Sequence, residues 1–196
     1  MLSEAYIKYY MNICQCVAEK KISCYSRAVG CVIVNPVTNS IINTGKNGPP
    51  SGEPHCDSFD YLSNVFLPQL TKQEFDTIET KFGTYTQFLK TCVGLKQCPR
   101  RYINAGPGEK VDLCSCVHAE SNGIARATES LVGATMFLWS EVNCCNDCSA
   151  MVVQSGIKYL YMLETQGPDY GFITPWRFKH AGIIVEKHSK EWYLEG

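Results

Sequence analysis

From Glu4 to Glu19, apolar and aromatic residues fall at Tyr6, Tyr9, Tyr10, Ile13 and Val17. Steps of three and four put them on one helical face, so the pattern predicts an amphipathic first helix that ends near Lys20 and serves core packing. Short continuous apolar runs follow. Ala28–Val34 (AVGCVIV) and Ser40–Thr44 flank the turn-prone Asn35-Pro36-Val37-Thr38-Asn39, which predicts two antiparallel strands joined by a loop. Gly45–Gly52 (GKNGPPSG) is too rich in glycine and proline for either regular element and reads as a shaped loop.

The stretch from Asp57 to Asp112 has the weakest pattern. It carries one expected helix over Lys72–Glu79, then Cys92, Cys98 and a Gly-Pro-Gly turn at Gly106–Gly108, and it reads as an insertion. Regularity returns afterwards. Helices are expected from about Ala119 to Thr128, from about Asn146 to Ser155 and near Pro175–His180, and strands over Ala134–Trp139, Lys158–Leu163 and Ile183–Glu186. Helices alternating with short apolar strands imply parallel pairing in this half, because each crossover returns the chain to the same sheet edge. The predicted architecture is therefore α/β: a three-layer α/β/α sandwich around a central mixed five-stranded sheet.

Length changes this picture little, since 196 residues suffice for one sizeable core, and one domain spanning 1–196 with the insertion at about 57–112 is the expectation. Charge excludes more. Eighteen Lys and Arg nearly cancel nineteen Asp and Glu, so no whole-chain field draws nucleic acid or anionic lipid, and basic residues are scattered apart from Cys98-Pro99-Arg100-Arg101. The first twenty residues lack the apolar core of a secretory signal, and no apolar run approaches the roughly 18 residues of a membrane span. Twelve cysteines in such a chain point to metal or thiol chemistry and a cytoplasmic, reducing setting.

Two predicted helix starts carry metal-ligand residues: His118-Ala119-Glu120 and Cys145-Asn146-Asp147-Cys148. Both lie where crossover strands end, and in open α/β sheets sites form beyond the carboxyl ends of strands. One imidazole and two thiolates leave a zinc ion an open fourth position, where a bound water ionises near neutral pH. Glu120, two residues past the histidine, reads as the general acid and base. Either motif alone is weak, since Cys-x-x-Cys serves structural zinc and redox thiols equally well. Their order, separation and placement together match the zinc deaminase signature.

At these residues the chain resembles the deoxycytidylate (dCMP) deaminases, especially bacteriophage members, within the cytidine deaminase superfamily. Cys24–Val34, Thr44–Gly52, His118–Ala127 and Gly133–Ile157 carry the likeness. The resemblance implies hydrolysis of dCMP to dUMP and ammonia, which supplies dUMP for thymidylate synthesis, in a homohexamer regulated by dCTP and dTTP. It also implies that the G-x-N-G-x-P-x-G loop lines the nucleotide pocket, with Asn47 at the sugar. Arg27, Ala119, Asn122, Asn143 and Arg126 are candidate substrate contacts, since a phosphate needs donors and positive charge. The chain departs from the family where Asn143-Cys144-Cys145 stands in place of Ser-Pro-Cys. That change bears on base specificity and makes Cys144 a rival to Cys145 as a ligand.

Phage relatives further imply a structural zinc, whose places here hold Cys24, His55 or Cys56, Cys98 or Cys114, and Cys116; the set expected is Cys24, His55, Cys98 and Cys116. Buried free cysteines are the plain alternative. Two other functions compete with the nucleotide reading: a deaminase of modified or polynucleotide bases, and a non-catalytic zinc-stabilised interaction protein.

Overall fold

The computed structural model describes residues 2–19, 24–106, 108–165 and 172–194. Lys20, where the sequence pattern ends the first helix, and Pro107 of the Gly-Pro-Gly turn lie outside them. In chain order the elements are α1 (Glu4–Glu19), β1 (Gly30–Val34), β2 (Ile41–Lys46), α2 (Phe59–Tyr61), α3 (Lys72–Phe82), α4 (Tyr85–Cys92), α5 (Ala119–Ala125), β3 (Thr135–Trp139), α6 (Asn146–Gln154), β4 (Tyr159–Leu163), α7 (Ile173–His180), β5 (Ile184–His188) and α8 (Lys190–Leu194). The described residues form two compact units. One is drawn from Met1–Lys21, Ala28–Asn47 and Val117–Gly196, the other from Ile22–Arg27 and Gly48–Cys116.

In the first unit five strands pair in the order β2-β1-β3-β4-β5. β1 runs antiparallel to both β2 and β3, while β3, β4 and β5 are mutually parallel, so the sheet is mixed, as the patterning predicts. Successive side chains of a strand face opposite ways, and the two faces have separate cores. Cys31, Ile33, Met136, Leu138, Leu160 and Met162 pack with Ala119, Cys148, Val152 and Phe178, the layer of α5, α6 and α7. Val32, Val34, Phe137, Trp139, Tyr161 and Leu163 pack with Ile7, Tyr10, Met11, Cys14 and Tyr193, the layer of α1 and α8. Burial on both faces is why β1 and β3 read as unbroken apolar runs. Gly30 admits α1 closely, since a Cβ there would stand 2.2 Å from the Cys14 carbonyl oxygen.

Two boundaries differ from the pattern. β2 continues through Gly45 and Lys46, taking two residues assigned to the loop. α5 stops at Ala125, with Arg126 at its C-cap, because the chain must bring Leu131 back into the core beneath α5 and α6.

The second unit has its own core, in which Phe66, Phe82, Phe88 and Tyr102 meet edge to face or stacked. Its α3 and α4 each begin with a capping box, Thr71 with Glu74 and Thr84 with Gln87, so two orphan backbone donors are met at each start. Among the described residues no helix is long and apolar enough to cross a membrane.

Candidate metal centre and active site

α5 is seated on β2 by a close approach. A Cβ on Gly45 would stand 2.0 Å from the Ala119 carbonyl oxygen and 2.5 Å from the Gly123 nitrogen, so no larger residue lets the backbones meet. Polar side chains fix the contact: Asn43 Nδ2 donates to the Gly123 carbonyl at 2.8 Å and Asn122 Nδ2 to the Lys46 carbonyl at 2.8 Å. Asn47 Oδ1 accepts the Ala119 amide at 2.9 Å, meeting one of the donors that a helix start leaves without a backbone partner. Asn47, Ala119 and Asn122, read from sequence as substrate contacts, thus first pin the loop to the helix that carries His118 and Glu120.

α6 presents the thiol pair. Cys145 is its N-cap and its Sγ accepts the Cys148 amide at 3.4 Å. His118, at the N-cap of α5, brings Nδ1 to 3.4 Å from both Cys145 Sγ and Cys148 Sγ. Among the described residues this is the one group of three such donors that lie mutually within 4.8 Å. A hydrogen bond from Cys148, with His118 also in contact, draws the Cys145 thiol down to about 4, and burial is the second influence on it, opposing the shift. The same bond, with burial, raises the Cys148 thiol, and a zinc ion held by the pair would take both sulfurs as thiolates. Zinc-sulfur and zinc-nitrogen bonds of roughly 2.3 and 2.0 Å at tetrahedral angles separate donor atoms by about 3.5 Å. The observed 3.4 Å and the soft donor chemistry therefore fit a zinc ion.

Glu120 is only 5% exposed. Burial pushes its carboxyl upward, opposed by its own backbone amide and by the nearby His118. Cys144 lies outside the donor group, its Sγ 3.7 Å from the Cys145 carbonyl oxygen. Ser121 Oγ stands 3.5 Å from Cys148 Sγ, a second partner for that sulfur. The sequence pattern missed the role of Arg177. From α7, Arg177 Nη1 donates to the Asn146 carbonyl at 2.6 Å, to Asn146 Oδ1 at 2.8 Å and to Ser149 Oγ, clamping the start of α6. A guanidinium gives no periodic signal, and only the fold places it there.

The other candidates fall as follows. Asn143 Oδ1 accepts from Lys187 Nζ at 2.8 Å, and Asn143 and Cys144 line a cavity of about 510 Å³ with Met162, Phe178 and Val185. Arg126 is exposed at the far end of α5 from His118. Arg27 belongs to the second unit. There the thiols of Cys114, Cys24 and Cys56 lie within hydrogen-bonding reach of Cys116. Hydrogen bonding from Cys116 draws Cys24 down to about 5 and Cys114 to about 6, with the Arg100 guanidinium assisting. His55 Nδ1 lies 3.2 Å from Asp57 Oδ1 and 4.0 Å from Cys56 Sγ, and its buried Nε2 has no hydrogen-bond partner among the described residues, while Cys98 neighbours Arg100. Cys56 and Cys114, the alternatives at those two places, are in reach of Cys116.

A mixed sheet between two helical layers, with an imidazole and two thiols gathered at two helix starts beside a buried carboxylate, defines a zinc-site protein of the cytidine deaminase fold. Residues 5–164 match the family model described as the cytidine and deoxycytidylate deaminase zinc-binding region, and the chain belongs to that family. The deoxycytidylate deaminase of Enterobacteria phage T2 is 34% identical over 148 residues, 72% of this chain and 71% of the phage protein. That of Schizosaccharomyces pombe is 28% identical over 150 residues, 76% of this chain but 34% of the yeast protein, so the chain spans about a third of that relative. The dCMP deaminase of cyanophage S-TIM5, solved with dCMP and dUMP, superposes with a TM-score of 0.56 at 21% identity over 96% of this chain and 100% of the phage chain.

Proposed function

We propose that the protein is a zinc-dependent hydrolase that converts dCMP and water to dUMP and ammonia. The observation that carries this is the His118, Cys145 and Cys148 donor group with buried Glu120 beside it, in a chain of the deaminase family. His118, Cys145 and Cys148 hold the zinc, which when bound supplies Lewis-acid activation of the attacking water. Glu120 takes a proton from the attacking water and delivers it to N3 of the cytosine ring, then takes the proton of the new hydroxyl on C4 and gives it to the departing amine, which leaves as ammonia. Burial raises that carboxyl, which favours its protonated form. Asn143 stands at the strand end that faces the base, and Asn47 and Asn122 hold the loop against which the sugar lies.

The wider reading follows from the same resemblance: a cytoplasmic homohexamer answering to dCTP and dTTP, with a second, structural zinc. For that zinc the supporting observation is the set of Cys24, Cys56 and Cys114 neighbouring Cys116, which would tie the segment before β1 to the end of the insertion beside the second unit's own core.

Ammonia release from dCMP is the test, compared with 5-substituted dCMP and single-stranded DNA and accompanied by zinc analysis. Two zinc ions per chain with turnover of free dCMP support the reading. Turnover of DNA alone, or bound zinc without turnover of any cytosine nucleotide, refutes it. Sedimentation with and without dCTP tests the hexamer and its effectors.

A further inference from the structure

Cys148 and Met151 stand three residues apart on α6 and so share one face of it. Ser121 of α5 sets its hydroxyl against both: Oγ lies 3.5 Å from Cys148 Sγ and 3.2 Å from Met151 Sδ. A hydroxyl has one proton to give, so only one of the two sulfurs receives it at a time. With a proton on Cys148 the bonds run as a chain, in which the thiol donates to Ser121 Oγ and the hydroxyl donates to the thioether, a group that can only accept.

The first link of that chain is lost when Cys148 serves as a metal ligand. It is then a thiolate with no proton to donate, and the nearby His118 nitrogen, itself a ligand, has none to offer the sulfur either. Cys145 Sγ keeps the Cys148 amide as a donor. For Cys148 Sγ, in a residue only 1% exposed and so with little water to stand in, the Ser121 hydroxyl is the remaining donor among the hydrogen bonds of the described residues. A charged acceptor makes a stronger hydrogen bond than a neutral thioether. We infer that Ser121 is a positioning residue of the metal centre: in the zinc-loaded protein its hydroxyl turns from Met151 and donates to Cys148 Sγ, fixing that sulfur and drawing charge from it. The inference rests on the zinc site of the function proposed above.

Cobalt(II), loaded into the full-length protein in place of zinc, makes the contact visible, because thiolate-to-cobalt charge transfer absorbs at an energy set by how tightly the sulfur holds its electrons. The bands of this centre are those missing from a Cys145→Ala, Cys148→Ala double variant, which separates them from any other cysteine site. Ser121→Ala should move them to lower energy and weaken cobalt binding, titrated on the same bands against a chelator, by about tenfold. Ser121→Thr keeps the hydroxyl and should hold both quantities near wild type, and Met151→Leu should leave the bands in place.

Unmoved bands in Ser121→Ala overturn the inference, and so does an equal shift in Ser121→Thr. Bands that move to higher energy in Met151→Leu overturn it as well, since the thioether would then have been holding the hydroxyl in the loaded protein. A wild type without thiolate-to-cobalt bands at this centre removes the site and the inference together. Absence of dCMP turnover by the zinc-loaded wild type overturns the proposed reaction alone, while the cobalt bands still report whether the hydroxyl reaches Cys148.

Discussion

Gly45 offers a sharp test of how the fold aims its chemistry. Its φ is not positive, so an alanine meets no backbone strain and the whole effect is steric. The added Cβ would stand 2.0 Å from the Ala119 carbonyl oxygen, whereas real Cβ contacts essentially never fall below 3.0 Å; the difference, 3.0 minus 2.0, requires β2 and the first turn of α5 to part by about 1 Å. Overpacking of this kind costs about 1–3 kcal/mol of stability. The displacement falls on the turn that carries His118 and Glu120, and an error of about 1 Å at reacting groups costs about a hundredfold in rate. Gly45→Ala should therefore lose far more turnover of dCMP than stability, measured as kcat at saturating zinc beside a urea midpoint. A variant destabilised within that range yet retaining kcat within about twofold would refute the idea that this approach sets the site.

Glu120→Gln should retain zinc and lower kcat by at least about a hundredfold, since the amide cannot carry protons; zinc analysis with steady-state kinetics checks both halves. In α3, a hydrogen bond from Lys110, then the Thr71 backbone, holds the Glu74 carboxyl down at about 2 against an ordinary 4.5. Because the folded value is the lower one, its stabilisation is complete above about pH 4.5 and is lost as pH falls toward 2. Urea midpoints of Glu74→Gln across that window should fall less steeply than those of wild type.

Much of the first unit could be read from the chain, and the reasons are particular. Val32 and Phe137 belong to runs buried on both faces, and the glycines, prolines and asparagines between runs mark the turns, so the mixed five-stranded sheet emerged from patterning, while the order of its strands came only with the structure. The donors were legible because one histidine and a Cys-x-x-Cys pair sit at successive helix starts. α4 escaped notice because Tyr85–Cys92 is short and its inward residues, Phe88, Leu89 and Cys92, are too few to establish a period. The ends of α5 and β2 were misjudged because tertiary packing set them, at Leu131 and at Gly45. The partners of Cys116 were open between neighbours in sequence, His55 or Cys56 and Cys98 or Cys114, since spacing gives no direction to a side chain.

The clamp of Arg177 on the start of α6 reaches beyond its own contacts. The family match ends at residue 164, so every soft donor of the centre lies inside it and the guanidinium that steadies two of them lies outside. A version of the chain ended after β4 would keep the whole signature while forfeiting the alignment of its thiols. Sequences that carry the motif yet lack an equivalent brace in their final quarter should be expected to hold the ion less firmly.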